Sequence, residues 1–411
     1  MIRNILSTFV SRALVAVLNL AILLVASRHL GSAVWGQVSL LVLNLAVVQT
    51  INDIYTGSAL VYFIPRTNLR AIYRGGITWT ILCIIIVNAG FYIFGVGMKE
   101  QWIHVLVLSF MITLQAFNNI LLLSTEKIWM YNFLQFLQPA LVFFALCVNV
   151  FIIDMQSVMA YIVALYVSLA FCLMVSLTWM TLALRETRRQ AEKFNSAQIF
   201  KNGVVNELGN LAHILSNRFN YYMLQANIAV VGIYASGSSL IESVWLISGS
   251  ISPVILTYIA NRQDMPENAR ITFLLSKISF LLALAGVVIL YFLPPGVFTF
   301  LLGHDFEGVK GVMMYLAPGV LCISFSSIIS HYYSAQGKQK ILLTANASGL
   351  MVTLCTSYFF ISRYGISGAC YAAALSYATQ SLVLVTVFMK QNHIGFLRLF
   401  SVKPDLTLLK R

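Results

Sequence analysis

Apolar residues run in blocks of about 20 along almost the whole chain, separated by short polar gaps, and about 20 residues is the length an α-helix needs to cross a bilayer core. Twelve such spans are predicted, at 5–27, 38–64, 77–96, 102–123, 131–153, 157–184, 204–225, 232–260, 271–293, 312–335, 341–361 and 366–389. The pattern predicts an all-α polytopic membrane protein. Composition agrees: 59% of the 411 residues are hydrophobic and 9% are charged, too few to build a water-soluble surface.

Charge sets the expected orientation. With both termini in the cytoplasm, the inner gaps and ends hold 19 Lys and Arg, concentrated at Arg66 to Arg74, Arg185 to Lys201 and Lys390 to Arg411. The outer gaps hold only Arg28, Lys99, Lys310 and Arg363. Cytoplasmic loops are enriched in basic residues, so the inverted topology is rejected. The net charge of +13 is spread over short membrane anchors, with no separate basic domain, and does not point to nucleic acid.

The most polar stretch divides the chain nearly in half. The expected organisation is an N-terminal lobe of six spans (1–184), a cytoplasmic amphipathic linker (185–203), a second six-span lobe (204–389) and a basic tail (390–411). Six spans per half makes the halves parallel repeats. Phe194, Ile199 and Phe200 in the linker, and Ile394, Phe396, Leu397, Leu399 and Phe400 in the tail, lie among basic residues. Both segments read as anchors to anionic lipid headgroups. The six cysteines all fall inside spans, with no disulfide or zinc spacing. The first span is too long for a signal-peptide core and is expected to be retained. The longest outer loop, 294–311, is too short for a catalytic domain.

Polar residues at membrane depth carry the functional information, because an ionisable group there is costly unless paired or facing water. The seventh span is the least lipid-like. Asn206, Glu207, Asn210, His213, Asn217, Arg218, Asn220 and Tyr221 recur at spacings of three and four, so most share one helical stripe. Such a stripe is either glue between helices or the lining of a water-filled cavity. An Arg near mid-span with a Glu and a His on the same helix favours the cavity. Arg12 and Asn19, seven apart in the first span, share a face, and Arg12 either lines that cavity or snorkels to the interface. Lys277 is expected to snorkel. Asp53, Glu207 and Glu242 are the acidic candidates, either pairing with Arg for structure or binding a coupling proton or cation. Gln115, Asn118 and Asn119, and the serines at 324, 326, 327 and 330, read mainly as interhelical packing, and His331 as a satisfied interfacial histidine.

The chain carries no GxxxxGK[ST], HExxH, CxxC or GxSxG pattern. The expectation is therefore a non-enzyme with no metal and no cofactor. Any energy must come from a proton or sodium gradient, the membrane potential or a partner.

Several short motifs, in order, resemble the polysaccharide flippases of the Wzx type, within the multidrug/oligosaccharidyl-lipid/polysaccharide superfamily. They are Arg28-His29-Leu30-Gly31 with Trp35-Gly36-Gln37-Val38-Ser39, then Asn217-Arg218, Val231-Gly232-Ile233-Tyr234-Ala235, Leu302-Gly303-His304-Asp305-Phe306, Ala335-Gln336-Gly337-Lys338 and Tyr364-Gly365-Ile366-Ser367-Gly368-Ala369. The resemblance covers nearly the whole chain. It implies two six-helix lobes around a central cavity that opens alternately to either side, in the inner membrane of a bacterium. The implied cargo is an oligosaccharide joined through pyrophosphate to a polyprenyl lipid, such as an O-antigen repeat unit. Membrane lipids and a polysaccharide polymerase or chain-length machinery are the implied partners. On this reading Arg218 and Arg12 hold the pyrophosphate, and Asn206, Asn210, His213, Asn217, Asn220 and Tyr221 line the cavity for the sugar. Asn217 departs from the acid usual before that Arg, which puts ion coupling at that position in doubt.

Other functions remain to be separated. A multidrug or cation antiporter shares the superfamily fold but would want an acidic cavity. The peptidoglycan-precursor flippase branch usually carries two more spans. A polymerase or ligase of lipid-linked glycans usually carries a large outer loop, and a scaffold would not account for the polar stripe.

Overall fold

The computed structural model is helical almost throughout and describes residues 2–57, 59–60, 64, 69–95, 101–125, 127–186, 196–245 and 265–395. Its helices are α1 (Ile2–Thr56), α2 (Leu69–Phe94), α3 (Trp102–Ser124), α4 (Ile128–Phe151), α5 (Val158–Glu186), α6 (Ser196–Leu224), α7 (Ile228–Glu242), α8 (Met265–Phe292), α9 (Pro295–Leu302), α10 (Val309–Ala335) and α11 (Gln339–Gln391). Single 3-10 turns follow α7 at Ser243–Trp245 and α9 at His304–Phe306.

Among the described residues, nine helical segments are long and apolar enough to cross a membrane. Two of them, in α1 and α11, have the length of two crossings each. α6, over the seventh predicted span, is more polar and is not one of the nine.

The double-length helices each break at one glycine. Gly31 sits at φ 79°, ψ 173° and Gly365 at φ 55°, ψ −128°, conformations that a side chain makes costly. A Cβ on Gly365 would meet nothing within 4 Å, so Gly365→Ala should cost backbone strain alone. The expected loss is about 1–3 kcal/mol, read as a lowered thermal midpoint of the purified protein.

Helix ends differ from the apolar blocks in an instructive way. α2 and α6 begin at Leu69 and Ser196, well before the predicted 77 and 204. Hydropathy marks only the part of a helix in the acyl region, whereas backbone hydrogen bonding continues through Arg70, Arg74 and Lys201. The apolar pattern carries the second span to 64, but α1 stops at Thr56, where the Gly57 N–H closes on the Asp53 carbonyl at 2.8 Å. The pattern places the eighth span over 232–260. Its helix α7 starts earlier, at Ile228, and residues 246–264 lie outside the described residues, as do Phe194 of the linker and the tail from 396.

The chain forms two compact units. The first comprises 1–211 with 227–232 and 301–305, and the second 212–226, 233–300 and 306–411. α6 itself is thus shared between them. In the first unit α1 packs on α2, α3 and α4, and α5 on α3 and α4. One apolar core there gathers Tyr55, Leu69, Ile72, Phe117, Leu173 and Ile199. In the second unit α10 packs on α8 and α11 around Phe273, Ile328, Tyr332, Tyr333 and Phe388.

Many large apolar side chains lie on the surface. Ile86, Phe94, Met174, Phe292 and Leu382 each leave two-thirds or more of their area uncovered. Patches of this kind are untenable in water and are what acyl chains require. The protein is a multi-pass membrane protein.

Candidate functional site: a buried arginine cluster

The second unit concentrates its polar groups where α6, α7 and α11 meet. Arg218 on α6 donates through Nη1 to the Tyr221 hydroxyl and to Ser238 Oγ of α7, each at 2.8 Å. Its Nη2 donates to Glu242 Oε2 at 2.5 Å. The other carboxylate oxygen of Glu242 accepts from the Tyr377 hydroxyl of α11 at 2.9 Å. Helical geometry explains the grouping: Arg218 and Tyr221 are three apart on α6, and Ser238 and Glu242 four apart on α7, so each pair presents one face.

Among the described residues, two of the five guanidinium N–H groups point to neutral hydroxyls and one to the carboxylate. The ion pair is single-pronged. The Arg218 and Glu242 side chains remain 26% and 12% exposed, so the cluster has an open side. A guanidinium whose fork is only partly used, at membrane depth, can bind an anion with bidentate oxygens.

One turn earlier on α6, Asn217 Nδ2 lies 3.2 Å from His213 Nε2, and His213 packs beside the Trp245 ring at 6.2 Å between centroids. Ser216 accepts at Oγ from Gln380 of α11, and its carbonyl accepts from Thr353. Asn220 is different. Its amide donates to the Ala369 carbonyl at 2.9 Å and its oxygen accepts from Ser357 Oγ at 2.6 Å, with no surface exposed. Expected as a cavity-lining residue, Asn220 is here a tie between α6 and α11. Tyr221 is likewise buried, with its hydroxyl spent on Arg218 and Ser238.

In the first unit, Glu207 is 5% exposed and accepts from Asn206 at 2.7 Å and from Asn210 at 2.8 Å. A Cβ on Gly203 would strike the Ile54 carbonyl, so α6 and α1 cross in direct backbone contact there. Glu207 is one turn beyond that crossing and Asp53 one residue before it, which brings two carboxylates to one helix pair. Asp53 is half-buried, with Thr56 donating to it at 3.4 Å. Arg12 and Asn19 are both exposed on α1, sharing a face as their spacing predicts.

Structural roles account for the other polar spans. Gln115, Asn118 and Ser176 tie α3 to α5, and Ser326 bonds Ser381. His331 is satisfied by the Ser327 carbonyl at 2.7 Å. Lys277, expected to snorkel, is instead 5% exposed and sits over the Phe273 ring at 4.6 Å.

Two contributors are not legible in the sequence. Tyr377 reads there as one more aromatic in an apolar helix, and only its partner Glu242 gives it a role. Asp305 lies in the motif turn after α9, and its Oδ2 accepts from the Ser32 N–H at 3.3 Å, across 273 residues of sequence. Ser32 opens the second half of α1 just after the Gly31 break, where backbone N–H groups lack helical partners, so Asp305 acts as a cap supplied from a distant turn. Asp305→Ala should lower stability by about 1 kcal/mol and Asp305→Asn by much less, measured as thermal midpoints. Equal losses would mean the charge matters beyond the cap.

The class of protein is set by the fold: a multi-pass, all-helical membrane protein. Solved structures share it over nearly the full chain. A lipid II flippase MurJ in an inward closed conformation matches with a TM-score of 0.68 and 14% identity, over 97% of this chain and 92% of that one. An inward-facing multidrug resistance MATE family transporter of the MOP superfamily matches with 0.70 and 14%, over 92% and 94%. The MATE multidrug transporter DinF-BH matches with 0.65 and 13%, over 94% of each chain. At these identities the likeness shows that the fold is shared and nothing beyond it. No protein-family model and no curated protein sequence matches the chain.

Proposed function

We propose that the protein is a flippase that moves a polyprenyl-pyrophosphate-linked oligosaccharide, such as an O-antigen or other surface-polysaccharide repeat unit, from the cytoplasmic to the outer leaflet of a bacterial inner membrane. The observation that carries this reading is Arg218, an arginine at membrane depth whose fork is only partly used and which opens on one side. A sugar and a pyrophosphate do not cross hydrocarbon unaided, so such a carrier needs anion donors inside the membrane and hydroxyl partners beside them. Within the second unit Arg218 supplies the first, and His213 and Asn217 supply the second. Arg12 of the first unit is a further candidate for the anion, and Asn206 and Asn210 for the sugar hydroxyls. The ordered motifs of the Wzx-type flippases and the fold shared with a lipid II flippase support a lipid-borne cargo. Asp53, Glu207 and Glu242 are the groups available to couple the cycle to a proton or sodium gradient. A polymerase or chain-length machinery would take the cargo at the outer leaflet.

A second reading, a multidrug or cation antiporter, is favoured by the fold shared with MATE transporters and by the Asp53 and Glu207 carboxylates at one helix crossing. Cargo binding separates the two. Purified protein is heated with a polyprenyl-pyrophosphate oligosaccharide or with a cationic dye. The flippase reading expects stabilisation by the glycolipid, about 2.7 kcal/mol at a hundred times its Kd, and none by the dye. Stabilisation by the dye alone would favour the antiporter.

A further inference from the structure

We infer that Glu242 is a resident anion occupying the place of the substrate's phosphate on Arg218, so that only a ligand carrying more negative charge than one carboxylate can take the guanidinium from it. The inference rests on the flippase reading and concerns how its anion site selects.

Three features of the cluster lead to it. The contact between Arg218 and Glu242 is one-pronged, through Nη2 and Oε2, whereas a structural Arg–carboxylate pair gains most from two parallel bonds. The carboxylate has a second anchor that does not involve Arg218, since Tyr377 donates to Oε1, so Glu242 has somewhere to stay when the guanidinium turns to another anion. The remaining bonds of Arg218 go to neutral hydroxyls, Tyr221 and Ser238, which hold the side chain in position without neutralising it. Among the described residues, Arg218 of α6 and Tyr377 of α11 bond Glu242 directly, and Tyr221 of α6 bonds the same guanidinium.

Competition between like-charged ligands for one guanidinium has a selective consequence. A pyrophosphate diester brings two negative charges and several acceptor oxygens against the one charge and single bond of Glu242. A monoanion offers no such gain, and a cation or neutral molecule none at all. An unpaired guanidinium would instead hold any passing anion, including monophosphate lipids.

The test uses the full-length purified protein and inorganic pyrophosphate, with inorganic phosphate and geranyl pyrophosphate in parallel, binding being followed by calorimetry in wild type, Glu242→Gln and Arg218→Gln. Gln keeps the shape of the side chain and one acceptor oxygen, placed for either Arg218 or Tyr377, while removing the charge. Glu242→Gln should bind pyrophosphate about tenfold more tightly than wild type and should gain measurable affinity for phosphate, while Arg218→Gln binds neither. A stronger gain for geranyl pyrophosphate than for the inorganic ion would assign the site to a lipid-borne head. If Glu242→Gln binds pyrophosphate no better than wild type, while Arg218→Gln loses it, the resident-anion role is wrong and the phosphate site stands. If none of the three proteins binds any of the probes, the phosphate site falls, and this inference with it.

Discussion

Arg218→Ala should abolish glycan export in cells while the protein reaches the membrane at the wild-type level. Truncating one partner of a hydrogen-bonded charge pair at membrane depth typically costs about 2–5 kcal/mol, enough to lower transport at least about thirtyfold. Part of that loss would be the Glu242 carboxylate left beside Tyr377 without its counter-ion. The double variant Arg218→Ala/Glu242→Ala removes that penalty and should recover stability without recovering export. Arg218→Lys discriminates further, since an ammonium keeps the charge but cannot reach Tyr221, Ser238 and an incoming anion with one planar fork. Full export by Arg218→Ala at equal protein level would remove Arg218 from the mechanism.

Gly36→Val and Gly232→Val should be among the most destabilising single changes outside that cluster. A Cβ on Gly36 would run into the Ile228 carbonyl, and one on Gly232 into the Ser32 carbonyl, so each glycine meets the backbone around the other. Overpacking usually costs about 1–3 kcal/mol because side chains can shift aside. Here the obstacle is backbone, and the helices themselves must part. Each variant should lose about 3 kcal/mol or more, seen as a fall in thermal midpoint and in membrane abundance. Because both act on one crossing, the double variant should lose much less than the sum. Additive losses would mean that the two positions do not share a contact.

These glycines also show what is legible in the sequence. Gly31, Gly303, Gly337 and Gly365, all members of the short motifs, have positive φ, at 79°, 107°, 68° and 55°. Gly232, from a further motif, sits in the tight crossing. The glycine-bearing motifs are readable because each marks a backbone requirement that only glycine meets. The number of spans is readable for a similar reason, since bilayer thickness dictates a block length. Which helices pair is not. In a membrane protein the lipid-facing and buried faces are almost equally apolar, so hydropathy leaves pairing open. That is why the reach of Asp305 to Ser32, the anchor from Tyr377 to Glu242 and the burial of Lys277 emerge only from the fold. It is also why Asn220 reads as one more member of a polar stripe, although its bonds to Ala369 and Ser357 make it a tie inside the second unit.

The central claim is the movement of a pyrophosphate-linked glycolipid between leaflets. Its most direct test reconstitutes the purified protein in liposomes with a labelled polyprenyl-pyrophosphate oligosaccharide in the inner leaflet and follows the label's exposure outside, with and without a proton or sodium gradient. Wild type should expose it and Arg218→Ala should not. Vesicles in which wild type exposes none of the glycolipid under any gradient, yet moves a cationic dye, would contradict the claim.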